Sequence, residues 1–138
     1  MKISTKSRYG LRAMVELALN YGEGPVSLRN IADNQAISYK YLEQIVPNLK
    51  RAGYLRSVRG AGGGYELTKD PEEISTLDII QALEGSMAPV DCVDLPKTCD
   101  RKDMCPTREL WIDMKKTIKE FLSSRTLDQL ARKQEKVR

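Results

Sequence analysis

Cys92, Cys99 and Cys105 fall within fourteen residues and are the only cysteines of a 138-residue chain that contains no histidine. Thiolates are soft ligands for zinc and iron-sulfur clusters, and they are also oxidisable nucleophiles. The C-x6-C-x5-C spacing is not the paired C-x2-C of zinc ribbons and fingers, and without histidine the Cys2His2 and Cys3His sets are excluded. Wide spacing in a loop suits a cluster, whose separated irons take thiolates from several directions. A tetrahedral site still wants a fourth ligand. An odd, clustered cysteine count argues against a disulfide framework and for metal, cluster or redox chemistry.

The rest of the chain offers little to an enzyme. There is no nucleophile beside an evident base, and RGAGGG (59–64) lacks the Lys-Ser/Thr pair of a phosphate-binding loop. The formal charge of +4 is uneven: 1–70 carry eleven Lys/Arg against six Asp/Glu, 71–91 none against five, and 92–138 twelve against eight. A basic first half favours a polyanionic partner, because neutralised phosphates release counterions, although a solvated basic surface has the same composition. No apolar run approaches the ~18 residues of a membrane span. MKISTKSRYG lacks the hydrophobic stretch of a signal peptide, so the expectation is a cytoplasmic protein without a membrane partner.

The cysteines and the basic residues need elements to position them. Ser7 to Asn20 puts Leu11, Met14, Leu17 and Ala18 on one helical stripe, with Arg8, Arg12 and Glu16 assigned to the polar face. Ser27 caps a short helix burying Leu28, Ile31 and Ala32, and Ser38 caps a third with Leu42, Ile45, Val46 and Leu49 inward. Pro47 lies inside that helix, and Gly53 ends it. Tyr54–Val58 and Tyr65–Thr68 read as two strands around the glycine loop. Ser75 or Thr76 starts a fourth helix that Gly85 closes. Residues 86–106 show no period and are expected to be loop. Leu110, Trp111, Met114, Ile118, Phe121 and Leu122 then recur at three- and four-residue steps in a long helix. TLDQ (126–129) has the form of a capping box, and KQEKVR after it reads as frayed.

Three helices followed by a β-hairpin is the order of a winged helix-turn-helix. The fold class expected is therefore mainly α with a small β-hairpin: a winged helix-turn-helix DNA-binding domain over 1–85, a cysteine loop over 86–106, and a long C-terminal dimerisation helix with a short terminal helix over 107–138. Polar side chains are needed at the leading end of the helix that enters the major groove, and Ser38, Tyr39, Lys40, Glu43 and Gln44 supply them. Gln44 can pair with adenine bidentately, Lys40 can reach phosphate or guanine, and Glu43 can accept from cytosine. Arg56 and Arg59 flank a hairpin tip with almost no side-chain bulk, suited to a narrow minor groove. A chain of this length has little spare core against which to bury the apolar stripe of the long helix, which favours a homodimer, with packing on the first helix as the other reading.

MKISTKSRYGLRAMVELAL, ISYKYLEQIV, SVRGAGGGYELTK, the three cysteines, TRELW and TLDQLA together resemble the IscR-type iron-sulfur transcription regulators over nearly the whole chain. The resemblance implies a homodimeric winged-helix protein that binds a double-stranded DNA operator. Its long helix, about Thr107 to Ser123, would cross that of a second subunit and bury Trp111, Met114, Ile118 and Phe121. It places Ser38, Lys40, Glu43 and Gln44 on the reading helix and Arg59 in the wing, with Glu43 where classes of operator are distinguished. It also implies that Cys92, Cys99 and Cys105 hold an iron-sulfur cluster, [2Fe-2S] ahead of [4Fe-4S]. IscR itself completes its site with a histidine three residues after the last cysteine; here that position is Arg108, which stays protonated and cannot ligate. Asp100, Asp103, Glu109, a carboxylate of the second subunit, a small thiol or water are the candidates that remain. A thiol-based redox or cysteine-metabolism regulator of the same fold, without a cluster, is the competing expectation.

Overall fold

The computed structural model describes residues 2–138. Helix α1 (Thr5–Leu19) begins where the Ser4 hydroxyl accepts from the Ser7 amide at 3.1 Å, and it is the central element, packed against three helices of the winged head and the last helix of the chain. Helix α2 (Leu28–Gln35) is capped by Ser27 and ends at Ala36, whose φ of 52° starts the turn of the helix-turn-helix. Helix α3 (Tyr39–Arg51) is capped by Ser38 and buries Leu42, Ile45, Val46 and Leu49, as its spacing predicts. It runs through Pro47 on its exposed side, where one missing hydrogen bond is least costly.

Strands β1 (Leu55–Val58) and β2 (Gly64–Leu67) pair antiparallel in the register Leu55↔Leu67 to Val58↔Gly64. The hairpin is pinned to the approach of α2 by two 2.8 Å bonds exchanged between Val26 and Tyr65. This close approach requires Gly64: its φ is +155°, and a Cβ there would lie 2.3 Å from the Val26 carbonyl oxygen.

Helix α4 (Thr76–Glu84) opens with a reciprocal capping box between Ser75 and Asp78. The stretch expected to be pure loop contains a single-turn helix α5 (Asp91–Asp94) and a 3-10 turn, Pro96–Thr98. One turn is too short to leave a hydrophobic period, which is why the sequence reading missed it. Helix α6 (Pro106–Ser123) starts with proline at its first position, and α7 (Leu127–Val137) starts with the Thr126–Gln129 capping box. The fraying expected over KQEKVR (133–138) is corrected: α7 continues to Val137, because it lies along α1 with Leu127 and Ala131 buried. Its start is stitched to that of α4 by Thr76 N–H to Arg125 O and Leu127 N–H to Ile74 O, both 2.8 Å. No described helix is long and apolar enough to cross a membrane.

Gly64→Ala is expected to lower unfolding stability in urea by about 1–3 kcal/mol, from left-handed strain plus the clash with Val26. Gly62→Ala, at a position with open space around it, is the control and should stay within about 0.5 kcal/mol of wild type.

Candidate nucleic-acid interface and cysteine lobe

Lys40, Glu43, Gln44 and Pro47 follow the i, i+3, i+4, i+7 spacing and form one exposed stripe along α3. Ser38 is exposed too, but its oxygen accepts from the Tyr41 amide at 3.2 Å, so its first task is capping. In the hairpin, Arg59 is exposed at the base of the glycine loop. Arg56 faces its register partner Glu66, Nε to Oε1 2.7 Å, so its charge is compensated. The Lys50 ammonium donates to Ser57 Oγ at 2.7 Å and joins the end of α3 to β1.

The turn into α3 is anchored by a group that the periodicity misplaces. Glu16, assigned to the polar face of α1, is 1% exposed. Its carboxylate accepts from Asn34 Nδ2 at 2.8 Å, Gln35 Nε2 at 2.9 Å, and the Arg138 guanidinium at 2.5 and 3.3 Å. Gln35 in turn accepts from Arg12 at its own backbone carbonyl and side-chain oxygen. A buried carboxylate is tolerated only when so supplied with donors. The cluster joins α1, the last turn of α2 and the end of α7. A signal was present: Glu16 lies three and four residues from Ala13 and Asn20, beside the stripe of Met14 and Leu17.

The cysteines lie on successive short elements: Cys92 in α5, Cys99 after the 3-10 turn, and Cys105 as the residue capping α6. All three are free and half-buried. Among the described residues no three Cys, Asp or Glu side chains gather closely enough to hold a metal ion. Three thiols nevertheless form a soft donor set, which suits a soft metal or a cluster better than hard ions. The Cys105 thiol is held below its usual range first by the Thr107 hydroxyl, 3.0 Å from Sγ, and then by the Arg108 amide.

The lobe is docked on α6 by two side chains. Arg108 Nε donates to the Cys92 carbonyl at 3.3 Å, and Lys115 Nζ lies 2.6 Å from Asp94 Oδ1. Lys115 and then the Ser86 hydroxyl hold the Asp94 carboxyl below the usual carboxylate range. No residue from 86 to 126 is fully buried. On α6, Trp111, Met114 and Ile118 are half-buried, while Leu110 and Phe121 are 57% and 55% exposed.

Comparison with known proteins places this architecture. The family described as Rrf2, iron-dependent transcriptional regulator, matches residues 3–133. The chain belongs to the Rrf2 family. It is 47% identical over 95% of its length to the HTH-type transcriptional regulator CymR of Bacillus subtilis, covering 90% of that protein. The structure of CymR, described as the global cysteine regulator of B. subtilis, superposes with a TM-score of 0.78 over 95% of this chain and 96% of that one. HTH-type transcriptional regulator IscR of Photorhabdus laumondii is 42% identical over 98% of this chain and 82% of its own. The T. potens IscR structure matches with TM-score 0.76 at 44% identity, over 94% of this chain and 86% of that one. This Rrf2-family chain is thus a winged-helix transcriptional regulator that binds DNA, and not an enzyme.

The Glu16 cluster makes the Rrf2 fold here sensitive to acid. Burial alone would raise the Glu16 pKa, but hydrogen bonds from Arg138, Gln35 and Asn34 bring it below the ordinary 4.5. A carboxyl depressed on folding stabilises the fold above its unfolded pKa, and that contribution is lost as pH falls through the folded value. Urea unfolding at pH 7 is expected to show Glu16→Gln less stable than wild type by about 1–3 kcal/mol. The gap should narrow on acidification below pH 4.5. Glu84, whose carboxyl is also depressed by its bonds to Ser4, titrates in both proteins, so the difference between them is the readout. A gap independent of pH would show that the Glu16 charge does not contribute.

Proposed function

We propose that the chain is a homodimeric operator-binding regulator in which 1–85 read DNA, 86–106 carry the sensor and 107–138 form the dimer arm, with an iron-sulfur cluster, [2Fe-2S] ahead of [4Fe-4S], held by Cys92, Cys99 and Cys105. The observation that supports it is the position of the three thiols, on a thinly packed lobe docked to the one long helix whose apolar stripe lies open. A bound cluster supplies an electron-accepting group whose stability depends on iron, oxidants and nitric oxide.

Arg108 stands three residues after Cys105 and cannot be the fourth ligand. Its guanidinium instead ties the start of α6 to the Cys92 carbonyl. The fourth position falls to Asp100, Asp103, Glu109, a carboxylate of the second subunit or a small molecule. Cys92, Cys99 and Cys105 would hold the cluster through their thiolates, and gathering them would move α5 and the Cys99 segment relative to α6. Trp111, Met114, Ile118 and Phe121 meet a second copy, so such a shift alters how the two reading heads are spaced on DNA. There Gln44, Lys40 and Glu43 face base edges, Ser38 and Tyr39 the leading end of the helix, and Arg59 with Arg56 the wing contacts.

The second reading is a thiol-based regulator of cysteine metabolism without a cluster. The half-exposed Cys105 thiol with its lowered pKa favours it, as does the similarity to a relative described as a global cysteine regulator.

Protein purified without oxygen is expected to show visible absorbance with matching iron and sulfide, lost in Cys92→Ala, Cys99→Ala and Cys105→Ala. Colourless protein whose DNA affinity responds to oxidant through Cys105 alone would establish the second reading instead. In gel-shift titrations Gln44→Ala should cost about 1–3 kcal/mol of discrimination between operator and altered operator. Arg59→Ala should weaken binding. Wild-type behaviour in both variants would mean that the reading surface lies elsewhere.

A further inference from the structure

Arg29 and Tyr39 form a pair that neither the core nor the reading stripe explains. Arg29 lies in the first turn of α2 and Tyr39 opens α3, and the guanidinium carbon is 5.3 Å from the tyrosine ring centroid. Both side chains are exposed, the ring by 42%. Tyr39 is rotated about 100° around the helix axis from Lys40. It therefore sits on the α2 flank of the Lys40–Glu43–Gln44 stripe, beside the bases' edge of the helix but not on it.

A cation over an aromatic face is held by the ring while its in-plane N–H donors stay free. Among the described residues no carboxylate forms an ion pair with Arg29, and the first turn of α2 contains no acidic residue. Neighbouring arginines are engaged. Arg56 is paired with Glu66 at 2.7 Å, while Arg8 and Arg12 bond to Thr5 and Gln35 around the Tyr9 ring. In helix-turn-helix docking the first helix of the motif crosses the DNA backbone while the second lies in the groove. Arg29 is therefore a charge on that flank that is free to meet the backbone, beside the exposed Lys40 of the reading stripe.

We infer that Arg29, held by the Tyr39 ring, contacts a backbone phosphate beside the reading helix, and that Tyr39 acts through Arg29 and not on a base. This rests on the reading of α3 as the groove helix. Arg29 is then an affinity contact that carries no sequence information, and Tyr39 is a positioning residue.

The test uses the full chain, a duplex selected by it from a random-sequence pool, and a mixed-sequence duplex, with affinities measured across a salt series. Arg29→Gln is expected to reduce the slope of log affinity against log salt by about one per subunit on both duplexes, leaving the preference between them unchanged. Tyr39→Phe should match wild type. Tyr39→Ala and Tyr39→Leu, the latter keeping apolar bulk without a π face, should lose part of the slope with unchanged helical content by circular dichroism. An unchanged slope in Arg29→Gln overturns the contact, and a changed preference at unchanged slope makes Arg29 a base reader and also overturns it. Wild-type slopes in both Tyr39→Ala and Tyr39→Leu overturn the positioning role. Gln44→Ala, which should lose preference and keep its slope, separately tests the groove helix.

Discussion

The Glu16 carboxylate is the constraint around which the head is organised. A charge at that depth is costly unless its oxygens are fully supplied, and the supply comes from three side chains on two other elements: Asn34 and Gln35 at the end of α2, and Arg138 after α7. Ala36, the next residue after Gln35, takes the left-handed conformation that turns the chain into α3. Arg12 holds the same Gln35 backbone from α1. The orientation of α3 is therefore set by a polar cluster as well as by the apolar contacts of Leu42, Ile45 and Leu49.

Because Arg138 follows α7, and α7 follows α6, the head and the arm are one mechanical piece. The stitch between Ile74–Thr76 and Arg125–Leu127, with Thr76 Oγ1 also donating to the Leu122 carbonyl at 2.6 Å, leaves little play where α6 meets α4. The cysteine lobe meets the head along α6, which packs on α4 at this joint, and through the chain that leaves α4 at Gly85.

Much of this was legible in the sequence, for a physical reason. Ser27, Ser38, Ser75 and Thr126 all cap helices as expected, because a cap is a local bond within three residues. The hairpin followed from strand-forming residues on either side of RGAGGG, but its register, centred on Ala61 so that Arg56 and Glu66 face each other, was not read. What failed was non-local. Periodicity treats a charged residue as outward-facing, and the partners that allow Glu16 inside are 18, 19 and 122 residues away. The chemistry of Cys92, Cys99 and Cys105 was likewise plain from residue type, but the arm that docks them, Arg108 to the Cys92 carbonyl, is a contact that spacing cannot reveal.

Burial is distributed unevenly between the cysteine lobe and the head. From 86 to 126 no side chain is fully buried, whereas α1, α3, α4 and the start of α7 share the apolar core. Segments with few buried contacts open at little free-energy cost, and ligand-responsive elements are drawn from them. The lobe is retained chiefly by Lys115–Asp94 and Arg108–Cys92, partly exposed polar contacts whose individual contributions are small. It can therefore rearrange around its thiols without cost to the head. The same thin packing leaves Leu110 and Phe121 open on α6, so the face that a second copy would cover lies on the helix to which the lobe is tethered. In the proposed dimer, a change in the lobe would therefore act first on the helix that carries Leu110 and Phe121, and through it on both α3 helices together.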